Sequence, residues 1–310
     1  MQFQDYDYTG SQAEFLAMRD LLIESYAITR RPFNWLFDRL EDWKYGGNSN
    51  RIADDPDFFR RNAHLWRAAQ ARLIAFCISE YGGNQIFLQV HPEYRFVEPA
   101  MLDWAETRWA AGQDALETFA EVDDPVRQAL LAARGYTDAG DDGYMRRYDL
   151  ALDYAPLPLP AGYRIESLDQ NRNYASRIAA VQRAFNQPAL GRSWLESMFT
   201  APSYEPAWDL SVLAPDGRHV AFCLAMLDRR NRIAEIDPVG TDPDYQQRGL
   251  AKALLTECFR RLQAAGMACA YIGAAPEPYK ANRLYEALHP VAKYQTDRWV
   301  KRLVPPRLKT

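Results

Sequence analysis

The 310-residue chain is poor in cysteine and histidine, with four of each. Cys77, Cys223, Cys258 and Cys269 are scattered and none forms a Cys-x-x-Cys pair. That argues against a structural zinc site, so no metal is expected, and buried free thiols in a reducing cytoplasm are the plain expectation. No apolar run reaches the roughly 18 residues that a bilayer span needs, so no membrane partner is expected. Met1 to Tyr6 has neither a basic n-region nor an apolar h-region, so no secretory signal is read and the expected location is cytoplasmic. An excess of positive charge is also missing. Lys and Arg number 37 against 41 Asp and Glu, a net −4, and the pI is about 5.7. This disfavours a phosphate-tracking surface and a nucleic-acid partner. The cluster Lys301, Arg302, Arg307 and Lys309 reads as a solvated tail.

What the chain does have is the balance of a folded protein, 48% apolar and 25% charged residues. Its length allows one large domain or two of ordinary size. The alternating prolines of Ala155-Pro156-Leu157-Pro158-Leu159-Pro160-Ala161-Gly162 remove backbone donors and hold the chain extended. They predict a linker over 155–162 between domains at 1–154 and 163–310. A weak internal repeat supports the division. Val90-His91-Pro92-Glu93-Tyr94-Arg95 matches Thr241-Asp242-Pro243-Asp244-Tyr245-Gln246, and each follows a strand-like run and precedes a helical one. Each half also ends on a strand-like segment, Tyr144 to Tyr148 and Arg298 to Leu303.

The second half reads more clearly. Asp209 to Ala214 is a strand closed by the turn Pro215-Asp216-Gly217-Arg218. His219 to Leu227 and Ile233 to Asp237 continue an antiparallel meander. From Leu250 the period becomes four, with Leu250, Leu254, Cys258 and Leu262 on one helical face and Gly266 as the stop. A strand over 267–273 and a helix carrying Ala281, Leu284, Tyr285 and Leu288 follow. The pattern predicts an α+β sheet domain.

One turn carries chemistry. Pro238 cannot donate to a ladder, so its strand must sit at an edge or be broken. A strand splayed there leaves backbone groups available to a ligand. The turn then delivers Gly249 to a helix start, where orphan amides and the helix dipole favour an anion. Without a Cβ, Gly249 lets a pyrophosphate come close to the backbone.

Gln246-x-x-Gly249-x-Ala251, between strand and helix, resembles the acetyl-CoA signature of the GNAT (GCN5-related N-acetyltransferase) superfamily. The resemblance implies two tandem GNAT-like domains, each a mixed, mostly antiparallel sheet flanked by helices. It implies acetyl-CoA as co-substrate. It implies that residues 236–241, with Val239, Gly240 and Thr241, line the pantetheine arm. Gln246, Gln247, Arg248, Gly249, Leu250, Ala251 and Lys252 would hold the pyrophosphate. Asn282 and Tyr285, three apart on a later helix, match the family's Asn and Tyr, whereas His289-Pro290 replaces its usual Gly-Phe.

Acyl transfer to an amine needs a deprotonated nucleophile and a proton for the leaving thiolate, and the resemblance implies Tyr285 as the donor of that proton. Glu235 and Asp237, two apart on a strand, share a face, and either could accept the amine's proton or belong to a solvated polar face. In the first half Glu98 stands where Gly249 does and would repel a pyrophosphate, and Leu131 falls near the Tyr285 position. The first domain therefore resembles a degenerate copy. Its aromatic stretch Phe33 to Phe37, with Trp43 and Tyr45, reads as helix core or as a cleft wall. Phe185 to Phe199, with Trp194, lies where the family's variable substrate-side helices sit. The expected partner is a small-molecule amine, and the chain is expected to be a monomer or homodimer. A non-catalytic acyl-CoA sensor, or an acetyltransferase of protein N-termini or ribosomal proteins, is the alternative.

Overall fold

A computed structural model describes residues 2–303. Arg307 and Lys309 of the basic cluster lie outside the described residues. The chain forms two compact units. One holds 2–40, 51–144 and 294–303, and the other 41–50 and 145–293. In chain order the first half supplies β1 (Phe3–Asp7), α1 (Gln12–Thr29), α2 (Phe37–Tyr45), α3 (Phe58–Arg61), β2 (Ala63–Ala68), β3 (Leu73–Ile78) and β4 (Gln85–Val90). It continues through α4 (Glu98–Trp109), β5 (Ala115–Glu121), α5 (Pro125–Ala133) and β6 (Thr137–Asp149). The second half supplies β7 (Arg164–Ser167), α6 (Tyr174–Phe185), α7 (Arg192–Met198), β8 (Asp209–Leu213), β9 (His219–Asp228) and β10 (Ile233–Thr241). Then come α8 (Leu250–Ala264), β11 (Cys269–Ala274), α9 (Lys280–Glu286) and β12 (Ala292–Arg302).

Within the first unit, β1 to β4 form an antiparallel meander. β4 then pairs in parallel with β5, and the far part of β12 adds antiparallel to β5 from Thr296 to Arg302. Trp299 of that strand joins a core built from Trp66, Ile74, Leu88, Met101 and Leu131. In the second unit β7 to β10 repeat the meander, and β10 pairs in parallel with β11. Its core brings Leu254, Cys258 and Leu262 of α8 onto Ala221, Cys223 and Ile236 of the sheet. Each unit is thus a mixed, mostly antiparallel sheet flanked by helices, the α+β architecture that the patterning predicts.

Local chemistry explains the elements. The period-four face of α8 is the buried one, because a stripe at that spacing points at the sheet. Gly217 turns β8 into β9 at φ +85°. Its N–H bonds the Ala214 carbonyl at 2.9 Å. Gly266, at φ +83°, follows the end of α8. The repeat is also structural: the His91 ring accepts from the Glu93 amide at 3.2 Å, and Asp242 accepts from the Asp244 amide at 3.0 Å. Each of the two caps a short 3₁₀ turn between a strand and a helix. All four cysteines are buried and none forms a disulfide. Among the described residues no helix is long and apolar enough to cross a membrane.

Phe33, Leu36, Phe37 and Trp43 are buried core, whereas Trp35 and Tyr45 of the same stretch are half-buried. Lys301 differs from a freely solvated tail residue, since its Nζ donates to Glu106 at 2.8 Å.

Candidate acyl-CoA site

β10 is the axis of the site. Its pairing with β11 runs from Ile233–Cys269 to Glu235–Tyr271 and stops. On its other side the ladder with β9 shifts register between Ile236 and Val239. Pro238 lies inside that break and has no N–H to give. The two strands β10 and β11 therefore fork. Asp242, just past the strand, donates its N–H to Val220 of β9 at 2.9 Å. By the alternation of an antiparallel ladder, Thr241 then turns its own amide and carbonyl to the open side of the fork.

Gly240 sits in this stretch under close packing. A Cβ there would lie 2.3 Å from Cζ of Phe222 and 3.0 Å from the Ala184 side chain of α6. The fork continues into the turn. Arg183 braces it, pairing with Asp242 and Asp244 at 2.6 Å each. Arg248 donates to the Asp244 carbonyl at 2.8 Å and to the Tyr163 hydroxyl at 3.1 Å. Gln246 donates to the Thr241 carbonyl at 3.3 Å. Gln247 and Gly249 both take left-handed backbone, φ +60° and +76°.

Gly249 is the N-cap of α8 and offers no side-chain cap. Nothing lies within 4 Å of where its Cβ would be. Residues 246–249 are exposed, Leu250 is buried, Ala251 is half-buried and Lys252 is exposed. The N-terminus of this 15-residue helix thus opens on the exposed residues 246–249 with no side-chain cap from Gly249, an arrangement that favours an anion.

α9 packs on β11. Asn282 is fully buried, and its Nδ2 donates to the Ala275 carbonyl at 3.2 Å. Its Oδ1 has no hydrogen-bond partner. A buried acceptor without a donor is costly and fits a ligand N–H. Tyr285 is 5% exposed. Burial, and next the Asp237 carboxylate, raise the pKa of its phenol, while Arg146 opposes them. The hydroxyl therefore stays protonated throughout the physiological range. The Arg146 guanidinium lies 5.9 Å from the ring, and the Tyr148 hydroxyl donates to the Tyr285 carbonyl at 2.9 Å. Glu235 is buried whereas Asp237 is exposed, because the break at Pro238 ends strict alternation. After α9, His289 adopts φ +56°, the left-handed backbone that a glycine would take without strain. Arg146 and Tyr148 carry no motif and were not legible as site residues.

The equivalent turn of the first unit is built differently. Glu98, the first residue of α4, is 1% exposed. It accepts from Nε of Arg95 at 2.6 Å and Nε of Arg127 at 3.0 Å. Burial opposes its ionisation, but Arg127 and Arg95 outweigh burial and hold its carboxyl below the usual range. Glu98 is therefore a neutralised internal anion rather than an exposed repelling charge. Leu131 is fully buried core. Among the described residues no cluster of three or more His, Cys, Asp or Glu could hold a metal ion.

The acetyltransferase (GNAT) family matches residues 179–289. Similar curated proteins include the mycothiol acetyltransferase of Streptomyces avermitilis, 29% identical over 61% of this chain and 62% of that protein. Another is the mycothiol acetyltransferase of Arthrobacter sp., 26% identical over 69% of each. The match spans less than two thirds of the Streptomyces protein's length. Among solved structures, a tandem GNAT protein from the clavulanic acid biosynthesis pathway superposes with a TM-score of 0.67 at 13% identity. That match covers 98% of this chain and 99% of that one. A GCN5-related N-acetyltransferase from Sphaerobacter thermophilus gives 0.62 at 19% identity, covering 97% and 96%. These two likenesses show a fold shared along nearly the whole chain.

Proposed function

From a chain that carries a GNAT-family acetyltransferase domain in a tandem GNAT fold, we propose that its second unit moves an acetyl group from acetyl-CoA to a primary amine of a small molecule. The observation that carries this reading is the fork between β10 and β11, which ends at the exposed, uncapped N-terminus of α8. In it, the open edge at Val239 and Thr241, with Gly240 between them, pairs with the pantetheine arm. Gln246 to Lys252 present amides to the pyrophosphate, and the orphan Oδ1 of Asn282 takes a pantetheine N–H.

Catalysis follows by direct attack in a ternary complex. The amine nitrogen bonds to the thioester carbon and the C–S bond breaks. Tyr285 gives its proton to the departing sulfur, and the proton shed by the amine passes to a carboxylate. Asp237 is the better candidate base, since it is exposed and its charge helps to raise the Tyr285 pKa. Glu235, buried beside it on β10, is the second. The names of the curated relatives put mycothiol-related amines among the acceptors to test.

Tyr285→Phe tests the role assigned to the hydroxyl. Losing one positioned proton donor should lower kcat by about 10²-fold or more, with the Kd for acetyl-CoA within about twofold. Unchanged kcat would remove Tyr285 from the mechanism.

A further inference from the structure

The first unit has a fork of its own. β4 pairs with β5 at Gln85–Glu117 and Ile86–Thr118, and the pairing stops there. His91 donates its N–H to Ile74 of β3 at 2.8 Å, as Asp242 does to β9 in the second unit. Val90 therefore turns its N–H and C=O away from β3, toward the open side. These two groups are already taken. The Asn34 side-chain amide donates to the Val90 carbonyl at 2.8 Å and accepts from the Val90 N–H at 3.1 Å. Such a two-bond clasp is what an amide of a bound ligand, or a neighbouring strand, would supply.

The rest of the fork is closed in the same way. The Trp35 amide donates to Oε1 of Gln89 at 2.9 Å. The Trp35 indole lies 4.9 Å from the Phe87 ring. Phe87 in turn stacks on Phe119 of β5 at 4.5 Å with planes 6° apart. At the start of α4, Glu98 pairs with Arg95 and Arg127, and Arg95 holds both oxygens of Asp124 at 2.8 and 2.9 Å. Two acids and two bases balance in a largely buried quartet. An entering pyrophosphate would have to break those pairs and strand a buried carboxylate, a costly exchange.

We propose that the first unit is closed to acyl-CoA by its own side chains. Asn34 takes the open edge of β4 and the Glu98 quartet takes the helix start, so the chain holds one acyl-CoA, in the second unit. The count of one rests on the reading of the second unit given above. The closure of the first does not.

Native mass spectrometry of the full chain titrated with CoA counts the sites. One CoA per chain is expected for the native sequence. For Gly249→Glu, which copies the first unit's residue into the second, none is expected. Two CoA per native chain overturns closure, as does one retained by a folded Gly249→Glu variant with exchange protection across 87–98. No CoA on the native chain would sink the acyl-CoA reading of the second unit and leave closure of the first standing. Hydrogen exchange gives a second readout that does not rely on the variant. CoA should slow amides near 250–252 and leave those of 87–98 unchanged. Protection appearing across 87–98 refutes the proposal.

Discussion

Gly240→Ala is the substitution whose effect can be worked most fully from the structure. The new methyl would come within 2.3 Å of Cζ and 2.8 Å of Cε1 of Phe222, and 3.0 Å of Ala184. Phe222 is fully buried and cannot simply swing away. The Arg177 guanidinium lies 4.1 Å over its ring, Arg177 is itself paired with Asp209 at 2.8 Å, and Phe185 packs at its edge. The strain must pass into α6 or into the forked stretch of β10. Overpacking of this kind costs about 1–3 kcal/mol. In a unit of this size that lowers Tm by roughly 2–10 °C. Displacement of the open edge by even a fraction of an ångström should weaken acetyl-CoA binding, about tenfold for 1.4 kcal/mol. Thermal melts and isothermal titration with acetyl-CoA measure both effects. A rescue fixes the cause: Phe222→Leu in the Gly240→Ala background should recover part of the loss, with a coupling of about 1 kcal/mol. Native Tm and native Kd in Gly240→Ala would refute the close packing, and absence of coupling would refute its assignment to Phe222.

Two further perturbations probe the same unit. Tyr148→Phe removes the hydrogen bond to the Tyr285 carbonyl. It should cost about 1 kcal/mol in denaturant melts and lower kcat several-fold with little change in acetyl-CoA Kd, whereas an unchanged kcat would show that Tyr285 needs no such brace. His219 is buried, and neither ring nitrogen has a hydrogen-bond partner. Burial and then Arg177 lower its pKa to about 4. The unfolded chain binds this proton near pH 6.5, so between pH 6.5 and 4 the unfolded state holds more protons and stability falls as pH falls. His219→Leu should flatten that acid-side loss, at most about 3 kcal/mol, and an unaltered slope in pH-dependent melts would contradict the assignment.

How far the sequence led depended on how local each feature was. The α8 face, the Gly217 and Gly266 turns and the break at Pro238 follow from neighbouring residues, so periodicity and backbone chemistry sufficed. The turn before α8 was legible for the same reason, because its residues lie within one short stretch. Features set by distant pairing were not. Asn34 meets Val90 across 56 residues, Tyr148 meets Tyr285 across 137, and Arg146 meets Glu286 across 140. No spacing rule reports such contacts. Strand β12 makes the same point, because its pattern announces a strand but cannot say that Trp299 will join the core of the first unit. Glu98 differs again: its position alone suggests a naked charge, and only the arrival of Arg95 and Arg127 shows a neutralised one.

The central claim is amine-dependent acetyl transfer at the β10–β11 fork, and thiol release tests it most directly. The purified full chain is incubated with acetyl-CoA and a panel of primary amines that includes mycothiol-related ones, beside the Tyr285→Phe variant. The account predicts CoA release that depends on at least one amine, with the matching amide formed by mass spectrometry and release sharply reduced in Tyr285→Phe. Acetyl-CoA bound by the native chain with no amine-dependent release across the panel would contradict it and point to a binding protein instead.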